Sequence, residues 1–135
     1  MAYLLDSNLV IPYLADDPAT VPLVERLAFD GIAISIITCK YMEVYQGTLR
    51  SPDPERAQDQ LASFLAGVPT LPFSPAVARR CASLREELKD RGRRVPDLAL
   101  DVMIAATALE YGLQLVTRNL ADYEDIPHLT VYRQN

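Results

Sequence analysis

Two cysteines and one histidine leave this chain little of the sulfur and imidazole chemistry on which many sites depend. Cys39 and Cys81 lie far apart, form no CxxC pair and have no histidine partner, which argues against both a disulfide framework and a zinc site. His128 stands alone in a loop and is assigned no function. Positive charge is also in short supply, with 13 Lys and Arg against 18 Asp and Glu, a net charge of −5. Nonspecific coating of nucleic acid draws its affinity from basic side chains that release phosphate counterions. Any polynucleotide partner must therefore find a local basic patch. No apolar run reaches the roughly 18 residues that span a bilayer, and the Met-Ala-Tyr-Leu-Leu-Asp start has no basic n-region. The expectation is a soluble, cytoplasmic protein with no membrane partner.

Apolar residues, by contrast, make up half of the 135, enough for one core and one domain over 1–135. Ala2 to Leu5 reads as a strand ending at Asp6-Ser7-Asn8, followed by helical spacing of Leu9, Val10, Tyr13 and Leu14. Thr20 to Asp30 reads as a helix closed by Gly31, and Ile32 to Ile36 as a buried strand. A helical segment is expected at about Thr38 to Leu49. Asp53-Pro54 and Ser74-Pro75 each supply an N-cap and a first-turn proline, opening helices that stop near Gly67 and Gly92. Asp97 can cap a helix running to Tyr111-Gly112. Leu113 to Val116 and Leu129 to Tyr132 complete the strands. Alternating strands and helices, with no repeat or low-complexity tract, indicate an α/β fold built from crossover units around a parallel sheet.

The chemistry gathers on acids placed where they are costly. Around Asp101, the run Leu98 to Leu109 has scarcely any polar face, so the helix should be buried. A carboxylate inside it needs pairing, hydrogen bonds or a metal, although the positive end of the helix is an alternative source of stabilisation. Asp6 ends an apolar strand at the carboxyl edge, where open α/β sheets bind ligands, but it could also simply cap the next helix. Glu43 lies in the first turns of the helix after the second strand, and Asn119 and Asp122 follow the strand that ends at Thr117. If the strands are parallel, these groups converge. Converging acids repel unless a cation compensates them, and an all-oxygen set suits Mg²⁺ or Mn²⁺. Such ions assist in-line hydrolysis of a phosphodiester. Ser7, Thr117 and Asn119 are then donors that orient the carboxylates.

The residues Leu4-Leu5-Asp6-Ser7-Asn8, Ile34-Ser35-Ile36-Ile37-Thr38 leading to Glu43 and Gly47, Asp101 to Ala108, and Leu115 to Tyr123 together resemble PIN-domain nucleases, specifically the VapC toxins of VapBC pairs. The resemblance spans nearly the whole chain. It implies a single PIN domain, a three-layer α/β/α sandwich with a central, mostly parallel sheet of four to five strands. It implies metal-binding and catalytic acids at Asp6, Glu43 and Asp101, with the fourth position shared between Asn119 and Asp122. Ser7, Asn8 and Thr117 would support them. It further implies metal-dependent RNA cleavage that inhibits translation, a VapB-like antitoxin partner, a toxin homodimer, and DNA contact only through the antitoxin.

Two features depart from the pattern. Similar toxins usually space the threonine and glutamate by three residues; here Thr38 and Glu43 are five apart, a rotation of about 140° at the 3.6-residue period. Either the helix begins later or a bulge absorbs the difference. The fourth acid is an amide, Asn119, with Asp122 as the nearby carboxylate. For RNA, Arg79, Arg80, Arg85, Lys89, Arg91, Arg93 and Arg94 form a candidate phosphate track of seven basic residues, in which Arg91, Arg93 and Arg94 lie closest to the acids. Phosphate contacts of this kind position RNA without reading its sequence. The plainer alternative is a solvated helix face balanced by Glu86, Glu87 and Asp90. Arg118 is the candidate for gripping the scissile phosphate. Apolar excess on the first two helices suggests a groove for a partner. Three other readings stand beside the toxin: an RNA-processing PIN nuclease outside a toxin pair, a silent PIN-like binding module, and a haloacid-dehalogenase-type phosphatase. The last wants a second acid two residues after the first, where this chain has Asn8.

Overall fold

The computed structural model describes residues 2–35, 40–96 and 99–133, with 40–43 defined by their backbone alone. Four strands, β1 (Tyr3–Leu5), β2 (Ile32–Ser35), β3 (Thr70–Leu71) and β4 (Gln114–Val116), form one sheet in the order β3-β2-β1-β4, and every pairing is parallel. Between β1 and β2 run α1 (Ser7–Leu14) and α2 (Thr20–Ala28); between β2 and β3 run α3 (Lys40–Leu49) and α4 (Pro54–Gly67). Between β3 and β4 run α5 (Pro75–Asp90) and α6 (Leu100–Tyr111), and a 3₁₀ turn, Leu120–Tyr123, follows β4.

Strand alternation divides the core between two faces. Leu4, Ala33, Leu71 and Leu115 pack with Val77, Cys81, Leu84 and Leu88 of α5 and with Val102, Ile104, Ala105 and Ala108 of α6. Leu5, Ile32, Ile34 and Val116 face the other way, against Leu9 and Val10 of α1, Val24 and Leu27 of α2, Val44 of α3 and Leu61 of α4. The result is the three-layer α/β/α sandwich.

Local signals set most boundaries. Asp53 Oδ1 accepts from Arg56 N at 3.1 Å and Ser74 Oγ from Val77 N at 3.2 Å, each cap followed by a first-turn proline. Gly112 ends α6 at φ 65°, a left-handed conformation in which a Cβ would be strained. One expectation changes. Leu129 to Tyr132 forms no regular strand: only Val131 bridges to Leu115, in parallel, with Leu115 N donating to Thr130 O and Tyr132 N to Leu115 O. The helix expected from about Thr38 is described from Lys40; Thr38 lies outside the described residues.

The strand order has a functional consequence. From β1 the chain adds β2 and β3 on one side, then returns to place β4 on the other. This reversal opens a crevice at the carboxyl ends of β1 and β4, the position at which open α/β sheets bind ligands.

Candidate active site

Register carries Asp6 to that crevice. Leu5 pairs with Val116 across β1 and β4, so Asp6 and Thr117 leave the sheet side by side. The Asp6 N–H donates to Val116 O at 2.9 Å, which extends the ladder by one residue and fixes the direction of the carboxylate. Only 4% of Asp6 is exposed. Its Oδ1 accepts from Ser7 N at 2.7 Å and from Ser7 Oγ at 3.4 Å, so Asp6 does cap α1. Capping occupies one oxygen. The other, Oδ2, accepts from Thr117 Oγ1 at 2.8 Å and from the Tyr123 hydroxyl at 3.5 Å.

Thr117 Oγ1 is the hub of a small network, accepting in turn from Asn8 Nδ2 and from Asn119 N, each at 3.1 Å. Asn8 Oδ1 accepts from Arg118 N at 3.3 Å, joining the start of α1 to the loop after β4. Ser7, Asn8, Thr117 and the Asn119 backbone thus all lie around the Asp6 carboxylate.

Asp101 sits in the first turn of α6, at the positive end of a helix whose other residues are mostly buried. Asp6, Asp101, Asn119, Asp122 and Tyr123 line one cavity of about 480 Å³ together with Arg93. Tyr123 reports their convergence. Burial, followed by the negative charges of Asp6, Asp101 and Asp122, pushes its hydroxyl far above the usual tyrosine range. It therefore stays protonated and able to donate to Asp6. Asp122 is exposed on the 3₁₀ turn. Glu43 is the fourth residue of α3 by its backbone; its side chain lies outside the described residues.

The basic residues are arranged less simply. Arg93 Nη2 donates to Asp101 Oδ2 at 2.6 Å and its Nε lies 3.2 Å from Asp125 Oδ2, so this member of the track turns into the cleft. Arg91 pairs with Glu87 at 3.3 Å along α5, Arg80 with Glu110 at 3.0 Å, and Arg94 is exposed. Arg118 does not line the acid cavity. Its guanidinium donates to Thr20 Oγ1 and lies 3.5 Å from Asp17 Oδ2, against the connection between α1 and α2. Sequence reasoning missed Tyr123, which signals itself only as an aromatic next to Asp122, and it missed the pairing of Arg93 with Asp101 and Asp125.

The donor chemistry suits a hard divalent ion: the carboxylates are oxygen donors, and among the described residues no cation is bonded to the buried Asp6. As arranged, no three Asp, Glu, His or Cys side chains among the described residues could hold an ion. Arg93 occupies Asp101 Oδ2, so an ion would have to share that carboxylate or take it over.

Comparison with known proteins gives the chain its relatives. The chain is 30% identical over 126 residues to the tRNA(fMet)-specific endonuclease VapC of Shigella flexneri, covering 93% of this chain and 92% of that protein. It is 28% identical to Ribonuclease VapC2 of Haemophilus influenzae over the same shares. Among solved structures, VapBC2 from Rickettsia felis bound to a promoter DNA fragment superposes with a TM-score of 0.80 at 28% identity, covering all of both chains. DNA-bound VapBC from Salmonella typhimurium gives 0.80 at 30% identity, covering 98% and 97%. The profile of the PIN domain family matches residues 3–128, and the chain belongs to that family.

Proposed function

We propose that this protein is the toxin of a type II toxin–antitoxin pair, a Mg²⁺-dependent endoribonuclease (Mn²⁺ substituting) that cuts RNA phosphodiester bonds and thereby inhibits translation. The observation that carries the reading is Asp6: a buried carboxylate held, among the described residues, by neutral donors, sharing one cleft with Asp101, Asn119 and Asp122. The VapC names of its relatives point the same way.

Asp6, Asp101, Asp122 and Glu43 are the residues proposed to hold the ion. When bound there, the ion supplies Lewis acidity at the phosphate and lowers the pKa of its water. The protein's own contribution is orientation. Ser7 holds one Asp6 oxygen and Thr117 the other, and Tyr123 donates to the same oxygen as Thr117. Asn8 and Asn119 hold Thr117 in turn. Arg91, paired with Glu87, and the exposed Arg94 are proposed to contact flanking phosphates; Arg118 acts by tying the loop after β4 to Thr20.

An antitoxin partner is supported by a groove of about 460 Å³ between α1, α3 and α4, lined by Ile11, Leu14, Val44, Thr48, Arg56 and Gln60. Ile11 is 44% exposed beside it, an apolar surface that an amphipathic segment would cover.

The test is cleavage of RNA by the purified chain with Mg²⁺ and with chelator, starting with initiator tRNA, the RNA named for the Shigella flexneri relative. Asp6→Asn and Asp101→Asn should each abolish Mg²⁺-dependent cleavage while circular dichroism stays unchanged. Cleavage that survives both substitutions would remove the reading.

A further inference from the structure

Arg93 uses its charge in an unusual direction. It follows α5 within the basic stretch, yet its side chain is only 25% exposed and turns towards the acids. Nη2 reaches Asp101 Oδ2 at 2.6 Å, Nε reaches Asp125 Oδ2 at 3.2 Å, and Nη1 is buried with no hydrogen-bond partner among the described residues. A guanidinium has five N–H donors, and one placed for hydrogen bonding alone would not leave a buried nitrogen unmatched. Charge attraction holds it there. Among the described residues lining the cavity with Asp6, Asp101 and Asp122, Arg93 is the one cation.

Converging carboxylates require compensation whether or not an ion is present. A divalent ion that used Asp101 would meet a like charge already bonded to the same carboxylate. We propose that Arg93 is a resident counter-cation of the acid cleft, holding Asp101 in the absence of a divalent ion and surrendering it when one binds, and that it thereby sets the metal affinity of the site. This rests on the reading of the cleft as a divalent-ion site. It makes Arg93 a positioning residue whose effect on metal binding has a definite sign. A competitor weakens binding, whereas an arginine that only orients Asp101 for the ion strengthens it.

The experiment titrates the full chain with Mn²⁺ alone by calorimetry and follows thermal unfolding with and without the ion. Arg93→Gln should bind Mn²⁺ about tenfold more tightly than the wild type, because a neighbouring positive charge has gone. Its ion-free form should melt lower than the wild type, with the gap narrowing at saturating Mn²⁺. Arg93→Lys, which keeps the charge, should bind with near wild-type affinity. A second measurement needs no folded variant: the Arg93 Nε–H resonance of the wild type should shift during a Mg²⁺ titration with the midpoint of ion binding. Equal or weaker Mn²⁺ binding by Arg93→Gln, or an Arg93 signal unmoved at saturating Mg²⁺, overturns the proposal and leaves the nuclease reading standing. A wild type that binds neither ion overturns both.

Discussion

Replacing Thr117 by valine removes one oxygen and little else, since the two side chains have nearly the same shape. That oxygen serves three partners: it donates to Asp6 Oδ2 and accepts from Asn8 Nδ2 and Asn119 N. The bond to the buried carboxylate dominates, because a hydrogen bond to a charged group contributes about 1.5–3 kcal/mol. The two accepted bonds involve groups nearer solvent, where water can replace Thr117, and add about 0–1 kcal/mol each. The expected loss is therefore about 1.5–5 kcal/mol, a large share of the roughly 5–15 kcal/mol that stabilises a domain. Urea titration followed by circular dichroism measures it as a lower midpoint with an unchanged slope. Thr117→Ser, which keeps the hydroxyl, should recover most of the loss. Under the proposed function, Thr117→Val should also weaken Mn²⁺ binding about 10–100-fold, the usual cost of losing a group that orients a metal-binding side chain. A valine variant with the wild-type urea midpoint would refute the view of this oxygen as the joint between β1 and β4.

Tyr123 gives a pH prediction. Its hydroxyl is raised above the ordinary value of 10.0, first by burial and then by the neighbouring carboxylates. The folded state therefore keeps a proton that the unfolded state loses, and this contribution is full below about pH 10 and falls as pH rises beyond it. Tyr123→Phe should move the onset of alkaline unfolding to higher pH, which tyrosinate absorbance and circular dichroism can follow together; an unchanged onset would contradict the assignment. At Gly112, space is not limiting, since nothing lies within 4 Å of an added Cβ, but φ is +65°. Gly112→Ala should cost about 1–2 kcal/mol through backbone strain alone, and Gly112→Asn less, as read by thermal unfolding.

Much of the fold was legible because short apolar runs and caps act locally. Leu4-Leu5, Ile32 to Ile34 and Leu115-Val116 marked three strands, and Asp53, Ser74 and Gly112 marked helix ends. Thr70–Leu71 was missed, because two residues carry no periodicity, and its pairing with Ile34 and Ser35 is a tertiary fact. Leu129 to Tyr132 has strand-forming residues but settles for one bridge beside Leu115. The expectation that Asp97 caps α6 falls outside the described residues, and the helix starts after Ala99, which makes no side-chain cap.

In the candidate site, the convergence of Asp6, Asp101, Asn119 and Asp122 on one cleft follows from parallel strands, and a sequence suggests those. Partner choice does not follow. Whether Arg93 faces RNA or Asp101, and whether Arg118 faces the acids or Thr20, depends on loop paths that no spacing encodes. Arg93 turns into the acids it precedes, whereas Arg118, next to Thr117, turns away from them to Thr20.

Asp6 and the Thr117 that steadies it are 111 positions apart, joined only because the last strand inserts next to the first. A folding chain can form the β1 side of the crevice from local contacts, but the other wall waits for a contact 111 residues away. Under the proposed function, the metal-binding crevice is assembled only once the last strand has paired with the first, so catalysis is tied to the final folding step rather than to any local segment.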